Sequence, residues 1–515
     1  MKNSTLNPAA ALGAFTLAAF ALFISAFTPA SAALPQPDLI ARFYFAGGDK
    51  ISTAPNVNAF TNQFASPPAL ALRRQTADKL APWLSGWLQK NLGTSVPDGP
   101  ARLRPLFDDL QSAEWTAEAR AAAGNPPEVA IAIKLDSQRS AAWPSALKPF
   151  FPAATFTTTG GWLIFDSGTG GNKLGASLAQ HLSTPPTAWF SADVNWPHLA
   201  QWFPQLAKLE LPETRFTVTT QGTNFQTDGK FLYPRPLSLK LDAWQVPSNL
   251  IHQPFVSFTA VRGFAPWLAA QDWLQPYQVL PTPNQAFIWA LPSVPFQTFL
   301  AESVPDANNA LDQAYQRLQP LFVPNGPLNQ GYLHPSIIKT NNEIKMLDMP
   351  LFAPFIRGEK GPSGQFLFAG GFPNIVHSKP LPDELYHRLA APDLVYYHWE
   401  ITSQRVPPML QFSQLALMIS NHRQLLATSA AFKWLKYVGS TLDFNRTEIT
   451  VAAPDQLAFS RNSSGLFTSV EMYALANWLE AKNFPGCDLR LPPLSERIKR
   501  AQALHNGSTP VQVPK

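Results

Sequence analysis

The sequence predicts an α+β protein of two similarly built domains, each a mainly antiparallel sheet covered by helices, related by internal duplication. Three observations carry that expectation. A short apolar strand followed by a Pro- and aromatic-punctuated helical stretch recurs along the chain. A Thr- and Val-bearing hairpin occurs twice, at Thr214 to Gln226 and at Thr447 to Ser460, with Gly or Pro-Asp in its turn. Hydrophobic residues at 45% and aromatics at 12% supply enough apolar surface to fill cores over most of 515 residues.

The elements follow in chain order. Residues 1–32 read as an export signal: Lys2 precedes an apolar run from Ala9 to Phe27, Pro29 breaks it, and Ala30-Ser31-Ala32 offers the small side chains a signal peptidase admits. Cleavage is expected after Ala32, and the alternative is an uncleaved membrane anchor, because the run approaches the roughly 20 residues a bilayer requires. No later segment is apolar enough to span a membrane. The first domain is placed at 33–247. It opens on the strand around Ala41 to Phe45 and continues with a helix from Ala69 to Asn91 that Pro82 should kink or split. Glu128 to Asp136 is a strand leading into a helical stretch at Ala141 to Phe150, and Thr187 to Val194 leads likewise into Trp196 to Phe203. The second domain is placed at 248–485, with the seam near Val246 to Gln253. There Pro254 to Val261 leads into Phe264 to Leu268, Gln285 to Leu291 into a helical Pro295 to Leu300, and Asp393 to Trp399 into Pro408 to Leu417. A last helix is expected from Ser469 to Lys482, and residues 486–515 read as a flexible tail.

Composition narrows the function classes. Proline, with 51 copies, is about twice as frequent as usual, so helix first turns, strand edges and rigid loops must be common. A net charge of +5 spread over 515 residues is dilute, and Lys and Arg cluster only at Arg73-Arg74 and at Arg497 to Arg500, which argues against nucleic-acid binding. The single cysteine, Cys487, rules out an intrachain disulfide and a cysteine metal site.

The segments Ala41-Arg-Phe-Tyr-Phe-Ala-Gly-Gly-Asp-Lys50, Phe258-Thr-Ala-Val-Arg-Gly-Phe-Ala-Pro-Trp267 and Glu471-Met-Tyr-Ala-Leu-Ala-Asn-Trp-Leu479 resemble a family of uncharacterised exported bacterial proteins built from strand-helix repeats. The resemblance covers nearly the whole chain after the signal. It implies export and repeat architecture, and no chemistry.

The sharpest chemical motif is Trp162-Leu-Ile-Phe-Asp-Ser-Gly-Thr-Gly170, in which Asp166-Ser167-Gly168-Thr169 is similar to the catalytic turn of aspartic proteases. That chemistry needs a second carboxylate to share one proton, and no second Asp-Thr/Ser-Gly exists in this chain. An Asp-Ser-Gly turn also forms for backbone reasons alone. On that reading Asn should replace Asp166 at a cost of at most about 1 kcal/mol. Ser145-Ala-Leu-Lys148 has the Ser-x-x-Lys spacing of penicillin-recognising enzymes without its companion motifs. His377, Asp383, Glu384 and His387 form the densest group of metal-capable residues, yet no His-Glu-x-x-His or other ligand spacing occurs. No cofactor or metal site is therefore expected. Fifteen tryptophans, among them Trp189, Trp196, Trp202, Trp267, Trp273 and Trp289, belong mostly to apolar surroundings, and any exposed cluster of them would mark a binding groove. The sequence thus points to an exported, non-enzymatic binding or scaffold protein for a protein or glycan partner. The alternative is a cell-envelope hydrolase that uses Asp166.

Overall fold

The computed structural model describes residues 39–54, 58–122, 125–168, 173–182, 187–202, 211–269, 279–292, 297–323, 334–349, 352–373, 379–419 and 428–485. The expected signal and tail lie outside these residues. The chain is α+β, its strands pairing antiparallel, and it divides into two compact units. Unit 1 contains the described residues up to Leu237 and those from Glu400 onward, and unit 2 those from Ser238 to Trp399.

Unit 1 begins with β1 (Leu39–Phe45), α1 (Gly48–Thr53), α2 (Asn58–Ala65), α3 (Pro67–Leu92), α4 (Gly99–Ser112), β2 (Trp115–Ala122), β3 (Asn125–Lys134), α5 (Ser137–Leu147), β4 (Thr155–Thr159), β5 (Trp162–Asp166), α6 (Lys173–His181), β6 (Phe190–Val194), α7 (Trp196–Trp202), β7 (Glu213–Gln221) and β8 (Asn224–Leu232). Unit 2 follows with β9 (His252–Gln253), β10 (Ser257–Arg262), α8 (Ala265–Ala269), β11 (Gln285–Ala290), β12 (Thr298–Val304), α9 (Ala307–Leu318), β13 (Ser336–Lys339), β14 (Glu343–Leu347), β15 (Phe355–Gly361), β16 (Gly364–Gly370), β17 (Lys379–Pro380), α10 (Asp383–Leu389) and β18 (Leu394–Ile401). The chain then returns to unit 1 as α11 (Thr402–Ile419), α12 (Ala430–Gly439), β19 (Phe444–Ala453), β20 (Gln456–Ser463) and α13 (Ser469–Glu480).

In unit 1 the strands lie in the order β4-β5-β3-β2-β1-β6-β7-β8-β20-β19. At the β5 end both faces are covered, which is why Trp162 to Asp166 is buried at every position and does not alternate. Trp162 and Ile164 pack with Ala130, Ala132 and the α6 residues Leu174 and Leu178. Leu163 and Phe165 point the other way, into a core with Trp143, Leu147 and Phe150. The helix α3 starts on the Ser66 cap with prolines in its first turn, stops at Gly93 in the left-handed region, and runs on unbroken through Pro82. Its Leu72 joins Val406, Leu435, Val438 and Met472 in a helical core that contains no strand residue.

In unit 2 the order is β18-β10-β11-β12-β16-β15-β14-β13. One face carries aromatics from strand to strand: Phe258, Trp289, Phe299 and Phe368 are buried together, with Trp289 stacked on Phe368 at 5.7 Å. The stretch between β8 and β9 closes over them through Trp244, Val246, Leu250 and Ile251. The guanidinium of Arg262 lies 4.9 Å from the Trp244 ring centre and donates to the carbonyls of Asp242, Ala391, Pro392 and Leu394.

One expectation is corrected here. Thr298 to Val304 is a strand, although Pro295 to Leu300 was read as helical. Phe299, Ala301 and Val304 turn to buried positions while β11 and β16 supply ladders on both sides. The duplicated hairpins, β7–β8 and β19–β20, lie in one unit and pair directly, Gln456 with Leu232 through to Ser463 with Phe225. Backbone pairing between β8 and β20 draws the last strands back to the first unit.

Candidate functional site

Asp166 ends β5, opposite Ala130 of β3. It is buried, and both of its oxygens accept backbone N–H groups: Oδ1 from Gly168 at 2.9 Å and Oδ2 from Gly175 at 2.7 Å. Gly175 is in the first turn of α6, whose N–H groups have no partner within the helix, so Asp166 caps that helix from a distance. Ser167 locks the turn to β3, its N–H donating to the Val129 carbonyl and its Oγ accepting from the Val129 N–H at 2.8 Å. A carboxylate does stand close by. A Cβ placed on Gly168 would meet Asp166 Oδ1 at 3.1 Å and Glu128 Oε1 at 3.3 Å, so the two acids border the space above that glycine. Each Asp166 oxygen is nonetheless aimed at a backbone donor, an arrangement that organises a turn and a helix end. Thr169 lies outside the described residues.

The other sequence candidates are not brought together. Ser145 and Lys148 are exposed at the end of α5. Asp383, Glu384 and His387 are exposed on α10, and His377 lies outside the described residues. Among the described residues no group of three or more His, Cys, Asp or Glu could hold a metal ion. No described helix is long and apolar enough to cross a membrane. Trp143 and Trp289 are wholly buried, Trp267 nearly so, and Trp83 and Trp478 are the tryptophans with large exposed area. Trp273 and the side chain of Trp202 lie outside what is described.

Two polar assemblies in unit 1 escaped the sequence reading. In the first, the buried Glu400 accepts from Thr402 Oγ1 at 2.9 Å, from the Ser469 N–H at 2.6 Å and from Ser469 Oγ at 2.6 Å, which ties the start of α11 to the start of α13. The neighbouring Arg405 is buried, and burial pulls its guanidinium down to about 10 against the opposing pull of Glu400. Arg461 extends this buried chemistry, holding Glu471 through both terminal nitrogens at 2.8 Å while its Nε donates to Thr447 Oγ1. Glu471 in turn completes a capping box with Thr468. The Thr468-Ser-Val-Glu471 spacing was the available signal for that part, whereas nothing in the sequence local to Glu400 announces its partners.

The second assembly is an open face. On β7, β8 and β20 the side chains of Thr217, Asp228, Lys230 and Ser460 are exposed. They belong to a cross-strand hydrogen-bond net. Gln226 Nε2 donates to Asp228 Oδ1 at 2.7 Å and to Ser460 Oγ at 2.9 Å. Asn462 Nδ2 donates to Gln221 Oε1 at 3.1 Å, and Asn224 Nδ2 to Asn462 Oδ1 at 3.2 Å. The register carries the same face onward through Thr217, Ser191, Asp193 and Arg42, where Glu118 accepts from both Arg42 and Arg120. Polar side chains are thereby fixed in rows across several adjacent strands.

Comparisons with family models, with curated proteins and with solved structures find no match to this chain.

Proposed function

We propose that this is an exported, non-enzymatic binding or scaffold protein that offers the open sheet face of unit 1 to a protein or glycan partner. The observation that carries the reading is the hydrogen-bonded net of Gln221, Asn224, Gln226, Asp228, Ser460 and Asn462 on exposed strands. Side chains already held in position lose less freedom when a partner binds, which favours recognition by a flat polar surface. The engagement of Asp166 with two backbone donors supports the same reading against the hydrolase alternative. Export itself rests on the first 32 residues of the sequence.

The test compares the secreted protein with an Asp228→Lys, Ser460→Lys variant. Both are cross-linked in the native host and also exposed to arrayed glycans. A partner captured by the wild type and lost from the folded variant supports the proposal, and equal capture by both sinks it. N-terminal sequencing of the same material should begin near Ala33.

We further infer that the chain arose by duplication of one unit, residues 39–232 and 257–463. Strand connectivity favours this: β4-β5-β3-β2-β1-β6 in unit 1 has the same order as β15-β16-β12-β11-β10-β18 in unit 2, and each series is followed in sequence by one of the two hairpins. An equivalent backbone conformation accompanies it, since Gly47 after β1 has φ 93° and Gly263 after β10 has φ 84°, a region that favours glycine. Superposing an experimental structure of the two segments checks the inference, and unrelated paths for β3 and β12 would end it.

A further inference from the structure

Unit 2 holds one carboxylate that neither its core nor the open face of unit 1 accounts for. Glu302 lies in β12, an interior strand, with Ala286 of β11 on one side and Leu367 of β16 on the other. Leu300 and Val304 share its face along the strand, and Ile288 and Ala369 flank Leu300 in the next row. Helix α9 covers part of this face, for Ala307, Ala310 and Leu311 form one core with Val304, Leu367 and Ile344. Glu302 keeps partial exposure, but apolar side chains surround it. Among the described residues no hydrogen bond or ion pair reaches its carboxylate.

The ionisable groups nearby are engaged elsewhere or far across the sheet. Strands β11 and β16 contain none. On α9, Asp312 is held by Lys339 of β13 at 2.6 Å, and Tyr315 and Arg317 occupy the later turns; Asp306 caps the helix start. On β15, Arg357 and Glu359 pair at 2.7 Å, and Lys360 is exposed two strands from β12. On β14, Glu343 and Lys345 pair at 3.2 Å. His398 of β18 shares a hydrogen bond with Thr259 of β10, and β11 separates that strand from β12.

We propose that Glu302 is a protonation-sensitive latch of unit 2: neutral, it lies in the apolar face beside Val304 and Leu367, on which α9 packs, and ionised, it draws more water into that face and loosens the helix from the sheet. Burial supports this by pushing the carboxyl from its ordinary 4.5 up to about 7. The sign follows from linkage. A carboxyl that binds its proton more tightly when folded gives its full stabilisation below the ordinary value, and loses it as pH rises to about 7. Unit 2 is thus held most firmly on the acidic side.

Hydrogen exchange followed by mass spectrometry, corrected for intrinsic rates, tests the latch on the full chain. Between mildly acidic and mildly alkaline pH, wild-type α9 should lose more than about tenfold of its protection, while α5 of unit 1 stays constant. Glu302→Gln should hold the acidic level of protection at every pH. An unchanged pH profile in the folded variant overturns the proposal. Should the variant fold poorly, wild-type protection that is flat with pH, or that falls equally in α5 and α9, overturns it as well.

Discussion

Asp166 accepts from two buried backbone N–H groups, so no amide can stand in for it. In Asp166→Asn one oxygen becomes an NH₂ group that faces a backbone donor, which leaves that donor without its bond. The expected loss is about 1–3 kcal/mol in chemical denaturation, larger than the sequence alone suggested. Neither wild type nor variant should cleave a mixed peptide library at acidic pH, and cleavage lost with Asp166 in a folded variant would revive the hydrolase. Residue-scale features were legible where chemistry is local. The Asp-Ser-Gly turn was read from three letters, because such turns are satisfied by adjacent backbone. Glu400 was not, since Ser469 lies 69 residues away and only the fold brings its donors together. Glu302 was equally silent, for its oddity, that no described residue bonds to its carboxylate, exists only in space.

At the scale of elements, one carboxylate links three helices of unit 1. Glu480, at the end of α13, accepts from Gln75 at 2.7 Å and Lys79 at 3.3 Å on α3, and from the Ala431 N–H at 3.0 Å on α12. Burial opposes its charge, yet the Ala431 N–H, Gln75 and Lys79 outweigh that and hold its carboxyl below the usual range. Such a group stabilises above the ordinary carboxylate value and ceases to as pH falls through its lowered one. Glu480→Gln should accordingly destabilise the protein at neutral pH by about 1 kcal/mol, and the difference from wild type should vanish in strong acid, as urea titrations at several pH values would reveal. A second test is steric. A Cβ on Gly439 of α12 would sit 2.2 Å from Val406 Cγ1 of α11, so Gly439→Ala should cost about 1–3 kcal/mol by overpacking, measured as a lowered unfolding midpoint. Element types were readable wherever a period was sustained, as in α3, α13 and β3. The stretch from Pro295 to Leu300 was too short to separate a helical stripe from a strand, and it was the ladders from β11 and β16 that decided it.

At the scale of the molecule, the sequence announced the fold class and both hairpins but not that β8 would pair with β20, because register between strands so far apart leaves no local trace. A chain ending at Trp399 would lack β19, β20 and the helices that cover Leu72, and β8 would keep an open edge. We expect that fragment to aggregate or to bind a hydrophobic dye strongly, while the full chain does neither. The same pairing also acts in time. Leu232 meets Gln456, so roughly 220 residues must leave the ribosome between the two halves of that ladder, about 10–45 s at ordinary elongation rates of about 5–20 residues per second. A chain that folds as it emerges would for that interval carry a finished hairpin with a bare edge, open to its neighbours until the last strands arrive.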